Sequence, residues 1–215
     1  MTEGVNVKRL AVMGAALGAV AALALPSTPA AMAGPKPVTT VTTTGSTTLT
    51  ISAAVAARWK GLDVRLAPRP PAKQKRRSVI LPVSQAGAES VRNSGGWLLV
   101  GPHGGKLAAD GLLIRLGEGK ETAALSFTAL DQELRLMTSS DVRTRISPPK
   151  VKRKDRVTTT VRTTTITGPV QLVDDPGLVL MLNGAIGAYA LMPGERIGTF
   201  TTTVVETTTV TRPAR

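Results

Sequence analysis

Apolar and polar residues alternate with a period of two through the middle of the chain. In SVILPV, Val79, Leu81 and Val83 fall on one face and Pro82 on the other. Leu112, Ile114 and Leu116 share a face, and so do Ala123, Leu125 and Phe127. This period predicts half-buried strands, because successive side chains on an extended chain point to opposite sides. Pro82 has no ladder donor and predicts an edge strand. Gly117-Glu118-Gly119-Lys120 lies between the last two runs and predicts a hairpin turn.

Threonine dominates the outer segments. Triplets stand at Thr42–Thr44, Thr158–Thr160, Thr163–Thr165, Thr201–Thr203 and Thr207–Thr209. Thr-rich exported segments can be glycosylated stalks, but stalks are rich in proline and poor in large apolar residues. Here valine and isoleucine interrupt the threonines, as in VTTTVRTTTIT (Val157–Thr167) and FTTTVVETTTVT (Phe200–Thr211). Such β-branched runs favour extended chain and predict long strands with a polar, solvated face.

Two helices interrupt the strands. Ser52 is an N-cap for Ala53–Lys60, with Gly61 just past the end. In LMLNGAIGAYALMPG, Asn183 is read as the cap of a weaker helical turn that carries Tyr189 and ends by Pro193-Gly194. The two segments look alike, each with a strand end, a cap, a small-residue helix, an aromatic residue (Trp59 or Tyr189) and a following strand. Asp174-Asp175 before Pro176-Gly177 reads as a turn. The predicted fold is mainly β, an antiparallel sandwich or barrel-like domain with two short helices.

The N-terminus predicts export. Lys8-Arg9 precede an uncharged apolar run, Leu10–Leu25, and Ala31-Met32-Ala33 forms an A-x-A cleavage site. Residues 1–33 are read as a signal peptide cleaved after Ala33, leaving one domain over 34–215 and no membrane-spanning segment. The 215-residue chain contains no cysteine, which removes thiol and zinc–thiolate chemistry. With two Trp, one Tyr and two Phe, its core must be aliphatic.

Charge adds the strongest physical signal. The formal net charge is +13. Taking away Lys8, Arg9 and Glu3 leaves 25 basic and 13 acidic residues, or +12, on the mature chain. RPPAKQKRR (69–77) and PPKVKRKDR (148–156) concentrate it and are read as solvated loops. Lys73, Lys75, Arg76, Arg77, Lys150, Lys152, Arg153 and Lys154 therefore form the predicted polyanion-binding set. These segments hold no stacking aromatics, so an anionic cell-wall polymer or membrane surface fits them better than a specific nucleic acid.

Catalytic signals are weak. The single histidine, His103 in GPHGGK, reads as a turn residue in a Gly-rich connection. No second histidine and no G-x-S-x-G elbow accompany it. GEGKET lacks the upstream glycine and trailing hydroxyl of a phosphate loop.

TTLTISAAVAARW (Thr47–Trp59), VILPV (Val79–Val83), VRNSGGW (Val91–Trp97) and LVLMLNGAIGAYA (Leu178–Ala190) follow one another in an order that resembles a family of actinobacterial secreted proteins. More remotely, the pattern is similar to HtaA-type haem-uptake domains, which are β-rich and carry a G-H-x-G-like segment. That resemblance implies haem held by a tyrosine with a supporting histidine. His103 in GPHGG matches that histidine with an offset, and Tyr189 is the one tyrosine available. Asn93 stands where the commoner relatives have histidine.

Three functions follow. The main one is an exported, non-enzymatic envelope protein without a cofactor, which binds anionic polymers through its basic segments. The alternative is haem or a small apolar ligand bound beside His103 and Tyr189. The third is a hydrolase with carboxylates brought together from distant positions.

Overall fold

The computed structural model describes residues 36–118 and 122–213, so the predicted signal peptide lies outside the described residues. The strands are β1 (Val38–Ile51), β2 (Arg65–Arg69), β3 (Lys73–Lys75), β4 (Ser78–Ala86), β5 (Ser90–Asn93), β6 (Gly96–Val100) and β7 (Lys106–Leu116). They continue with β8 (Ala123–Ala129), β9 (Gln132–Ser139), β10 (Arg143–Ile146), β11 (Lys150–Lys154), β12 (Val157–Leu172) and β13 (Arg196–Thr211). Helix α1 (Ala53–Gly61) follows β1, and α2 (Pro176–Ile186) lies between β12 and β13.

The sheet runs β7–β5–β4–β1–β13–β12–β9–β8, and β8 pairs again with β7. The path returns on itself, which makes the sheet barrel-like, and every pairing is antiparallel. The predicted mainly-β fold with two short helices is present. Leu112, Ile114, Leu125 and Phe127 are all fully buried, as their alternation requires. Trp97 meets Phe127 edge to face, with ring centroids 5.7 Å apart, the preferred geometry for paired aromatic quadrupoles. A void of about 30 Å³ remains among the core side chains. That is room for water and no larger ligand.

The threonine runs form the longest pairings. β1 pairs with β13 from Val38↔Thr211 to Ile51↔Gly198, and β13 pairs with β12 over a similar length. The ribbon has one core-facing side near its base, where Thr47, Thr202 and Ile166 are buried. Its far half is open to solvent along β1, where Val38–Thr44 are all exposed.

Several local expectations change. Pro82 does not lie on a free edge, because β4 pairs with β1 on one side and with β3 and then β5 on the other. The Pro82 carbonyl accepts from the Ser94 N–H at 2.9 Å. On extended chain, a residue's N–H and C=O point the same way. The missing donor therefore falls at the gap between β3 and β5, where no ladder bond is lost.

The basic segments contain strands as well as loops, since β3 pairs with β4 and β11 with β12. α2 starts earlier than Asn183. Asp175 is its cap, accepting from the Leu178 N–H at 3.0 Å, and Pro176 occupies the first turn. Proline is favoured there because its missing N–H is one the helix leaves unpaired. Asn183 is buried within α2 and bonds both the N–H and the carbonyl of Leu191, each at 2.9 Å. Tyr189 lies beyond the helix, not in it. The two helical segments share their β–helix–β order but differ in their aromatics: Trp59 is buried and Tyr189 is 76% exposed.

Candidate functional site

Helix α1 builds one wall of a groove of about 350 Å³. Ser52 fixes the start of the helix by accepting from the Val55 N–H at 3.2 Å. Val55 and Trp59 then point into the core. Arg58 and Trp59 tie the helix to the segment after α2. The Arg58 guanidinium forms a bidentate ion pair with Glu195 and donates to the Ala190 carbonyl at 2.9 Å. The Trp59 indole N–H donates to the same carbonyl at 2.8 Å. The hydrogen-bonded Glu195 carboxylate raises the Arg58 pKa, against the lowering effect of burial.

The opposite wall is the β3–β4 hairpin. Lys75 pairs with Ser78, so Arg76-Arg77 is a two-residue turn. Arg76 has φ of 54°, a left-handed conformation that non-glycine residues adopt at a cost. The Arg77 N–H groups face the end of β1, where one reaches the Ile51 carbonyl at 3.4 Å. A second hollow of about 380 Å³, lined by Thr50, Lys75 and Ser78, shares Arg76 and Arg77 with the groove.

The groove thus has an apolar floor and a cationic rim. Ile51, Ala56, Trp59, Val64 and Leu66 line it below, and Lys60, Arg65, Arg76 and Arg77 are exposed above. Asp63 is the one carboxylate among its lining residues. Its size is within the range of small-molecule sites. Chemically it suits an amphipathic anion, with carboxylates at the arginines and an apolar body on the floor.

The predicted site residues fall in different places. Lys75, Arg76 and Arg77 converge on this hairpin, with Lys73 exposed at its start. Lys150, Lys152, Arg153 and Lys154 lie on β11, where Lys152 is level with Thr159, Thr209 and Thr40. Lys75 is level with Ser78 and Thr50. Ten positions along β1 separate the two levels, about 34 Å of strand. The basic set therefore forms two clusters.

His103 and Tyr189 do not line the groove. His103 is exposed on the β6–β7 hairpin loop, which the Gly101 N–H closes onto the Gly105 carbonyl at 2.9 Å. Two glycines of GPHGG have a packing explanation, because a Cβ at Gly101 or Gly105 would collide with the Ile186 carbonyl at the end of α2. Tyr189 borders a separate hollow with Leu180 and Ala188. Asn93, where the resembled family has histidine, is buried in β5 and donates to the Leu112 carbonyl at 3.3 Å. Lys60, Arg65 and the floor residues were not visible as a site in the sequence. The groove assembles them from α1, β2 and a hairpin with no common motif.

The donor set tests the haem expectation. Protein ligands to haem iron are histidine, cysteine, methionine or tyrosine, and the groove-lining residues include none of them. The groove pairs an apolar floor with cationic side chains, the two features that a tetrapyrrole's ring and carboxylates require, but it supplies no usual iron ligand. Among the described residues, no cluster of three His, Asp or Glu side chains could hold a metal, and no helix is long and apolar enough to cross a membrane.

No family model and no curated protein matches this chain. Among solved structures, it is similar to the haem-binding protein HtaB from Corynebacterium glutamicum, with a TM-score of 0.50 and 13% identity, over 82% of this chain and 100% of that one. At that identity the likeness is one of fold, and it agrees with the remote resemblance to HtaA-type domains.

Proposed function

We propose that this chain is a binding protein for haem or a closely related anionic tetrapyrrole, seated in the groove between α1 and the β3–β4 hairpin. The observation that carries this reading is the apolar floor beneath Lys60, Arg65, Arg76 and Arg77. The fold shared with a haem-binding protein supports it. Binding rests on burial of the ring and on charge-assisted hydrogen bonds from the arginines to the propionates. The protein contributes no iron ligand from the groove. Asp63 alone cannot supply the paired acid and base of a hydrolase, which favours binding over catalysis.

The test is a titration of the chain with haemin and, in parallel, with iron-free protoporphyrin. Saturable binding of both, with similar affinity, is expected, as is weaker binding by the Arg76→Ser/Arg77→Ser variant. Binding of haemin alone would mean that a protein side chain ligates the iron. Binding of neither would remove the reading.

A further inference from the structure

The pairing registers place a row of basic residues beside a plate of hydroxyl groups on one face of the threonine ribbon. Residues directly opposite in an antiparallel pair project to the same face. Lys150, Lys152 and Lys154 stand opposite Val161, Thr159 and Val157. Arg143 and Arg145 stand opposite Thr167 and Thr165. The intervening place is filled by Ser147, whose N–H donates to the Thr163 carbonyl at 2.8 Å and whose hydroxyl accepts from the Thr163 N–H at 3.1 Å. All six β12 positions have the same parity, and β12 pairs with β13 without a shift over this stretch.

The basic row therefore spans ten positions of β12, about 34 Å of strand. Beside it on the same face lie mainly hydroxyl side chains, in rows such as Thr159–Thr209–Thr40 and Thr165–Thr203–Ser46, with Val157, Val161, Val205 and Val38 among them. This is the face turned away from the core, because Thr47, Thr202 and Ile166, of the opposite parity, are buried. The basic side chains are exposed. Arg143 has an ion-pair partner, Asp141, at 3.3 Å. Among the described residues, Arg145, Lys150, Lys152 and Lys154 have none.

We infer that this face binds a linear phosphodiester polymer of polyol units, laid along β11 and β10. Cations at alternate strand positions recur about every 6.8 Å. Phosphates joined through a three-carbon polyol recur at a comparable distance. Hydroxyl rows beside the cations can bond the polyol oxygens, as they could not an apolar chain. The plate carries no aromatic side chain, so it lacks the stacking that single-stranded nucleic acid uses. The surface is separate from the groove beside α1, and neither proposal depends on the other.

The experiment measures binding of lipid-free poly(glycerol phosphate) to the full chain at low and physiological salt. Two variants remove the same charge from opposite faces: Lys150→Ser/Lys152→Ser on the plate, and Arg153→Ser/Arg162→Ser on the other side. Saturable binding that weakens about ten-fold or more in the first variant at low salt, and little in the second, is expected. Equal weakening in both would overturn the proposal, because it would mean attraction to net charge alone. Equal or tighter binding of polyglutamate or of a DNA duplex would overturn it too, since the hydroxyl plate would then contribute no selectivity.

Discussion

Trp59 donates its indole N–H to the buried carbonyl of Ala190 at 2.8 Å, and Arg58, one residue earlier, reaches the same oxygen at 2.9 Å. Two consecutive helical residues thus hold α1 against the segment that follows α2. This contact fixes the wall of the groove. Trp59→Phe leaves Ala190 one donor and also removes part of a buried ring, so a loss of about 1–3 kcal/mol is expected. Combining it with Arg58→Met orphans the carbonyl. Urea unfolding should then show a loss exceeding the sum of the single losses by about 1 kcal/mol. Additive losses would mean that the carbonyl finds water instead.

Thr47 and Thr202 form the only fully buried threonine pair among the described residues, with their hydroxyls 2.9 Å apart. Thr47→Val leaves the Thr202 hydroxyl without a partner and should cost about 1–3 kcal/mol. Thr47→Val/Thr202→Val removes both polar groups in nearly the same volume. It should be more stable than either single variant in thermal melts. A double variant as unstable as the worse single one would show that packing, not the unpaired hydroxyl, sets the cost.

The strands were legible where side-chain chemistry repeats along the chain. Leu112–Ile114 and Leu125–Phe127 announced their buried face, and the β-branched threonine runs announced their length. β11 was less legible, because Lys-Val-Lys-Arg-Lys has no apolar face and a charged edge strand looks like a solvated loop. α2 was misplaced for a local reason. Asp-Asp-Pro-Gly has the composition of a turn, but an Asp cap with Pro at the first helical position is also a helix start. The groove was illegible because its floor and rim meet only through the tertiary fold. His103 is the one histidine of the chain, but Gly101 and Gly105 of its loop answer to the Ile186 carbonyl and not to the imidazole.

His103 and Tyr189 are exposed and outside the groove. His103→Ala and Tyr189→Phe should each change stability by less than about 0.5 kcal/mol. Both should bind haemin and protoporphyrin as the parent chain does. A loss of the haemin absorbance change in either variant, with protoporphyrin binding intact, would identify that residue as an iron ligand and relocate the site.

Arg76 separates binding from folding at a single position. Its left-handed φ of 54° costs an arginine about 1–2 kcal/mol relative to glycine. Glycine in turn loses more chain entropy on folding, by about 0.5–1 kcal/mol. Arg76→Gly should therefore be more stable than the parent by up to about 1.5 kcal/mol, while Arg76→Ala keeps the strain and gains nothing. Both variants remove the same cation from the rim. If the rim binds carboxylates, both should weaken tetrapyrrole binding equally, although their melting temperatures differ. If affinity follows the melting temperature instead, Arg76 acts by shaping the hairpin, and the carboxylate contacts must be sought at Lys60, Arg65 and Arg77.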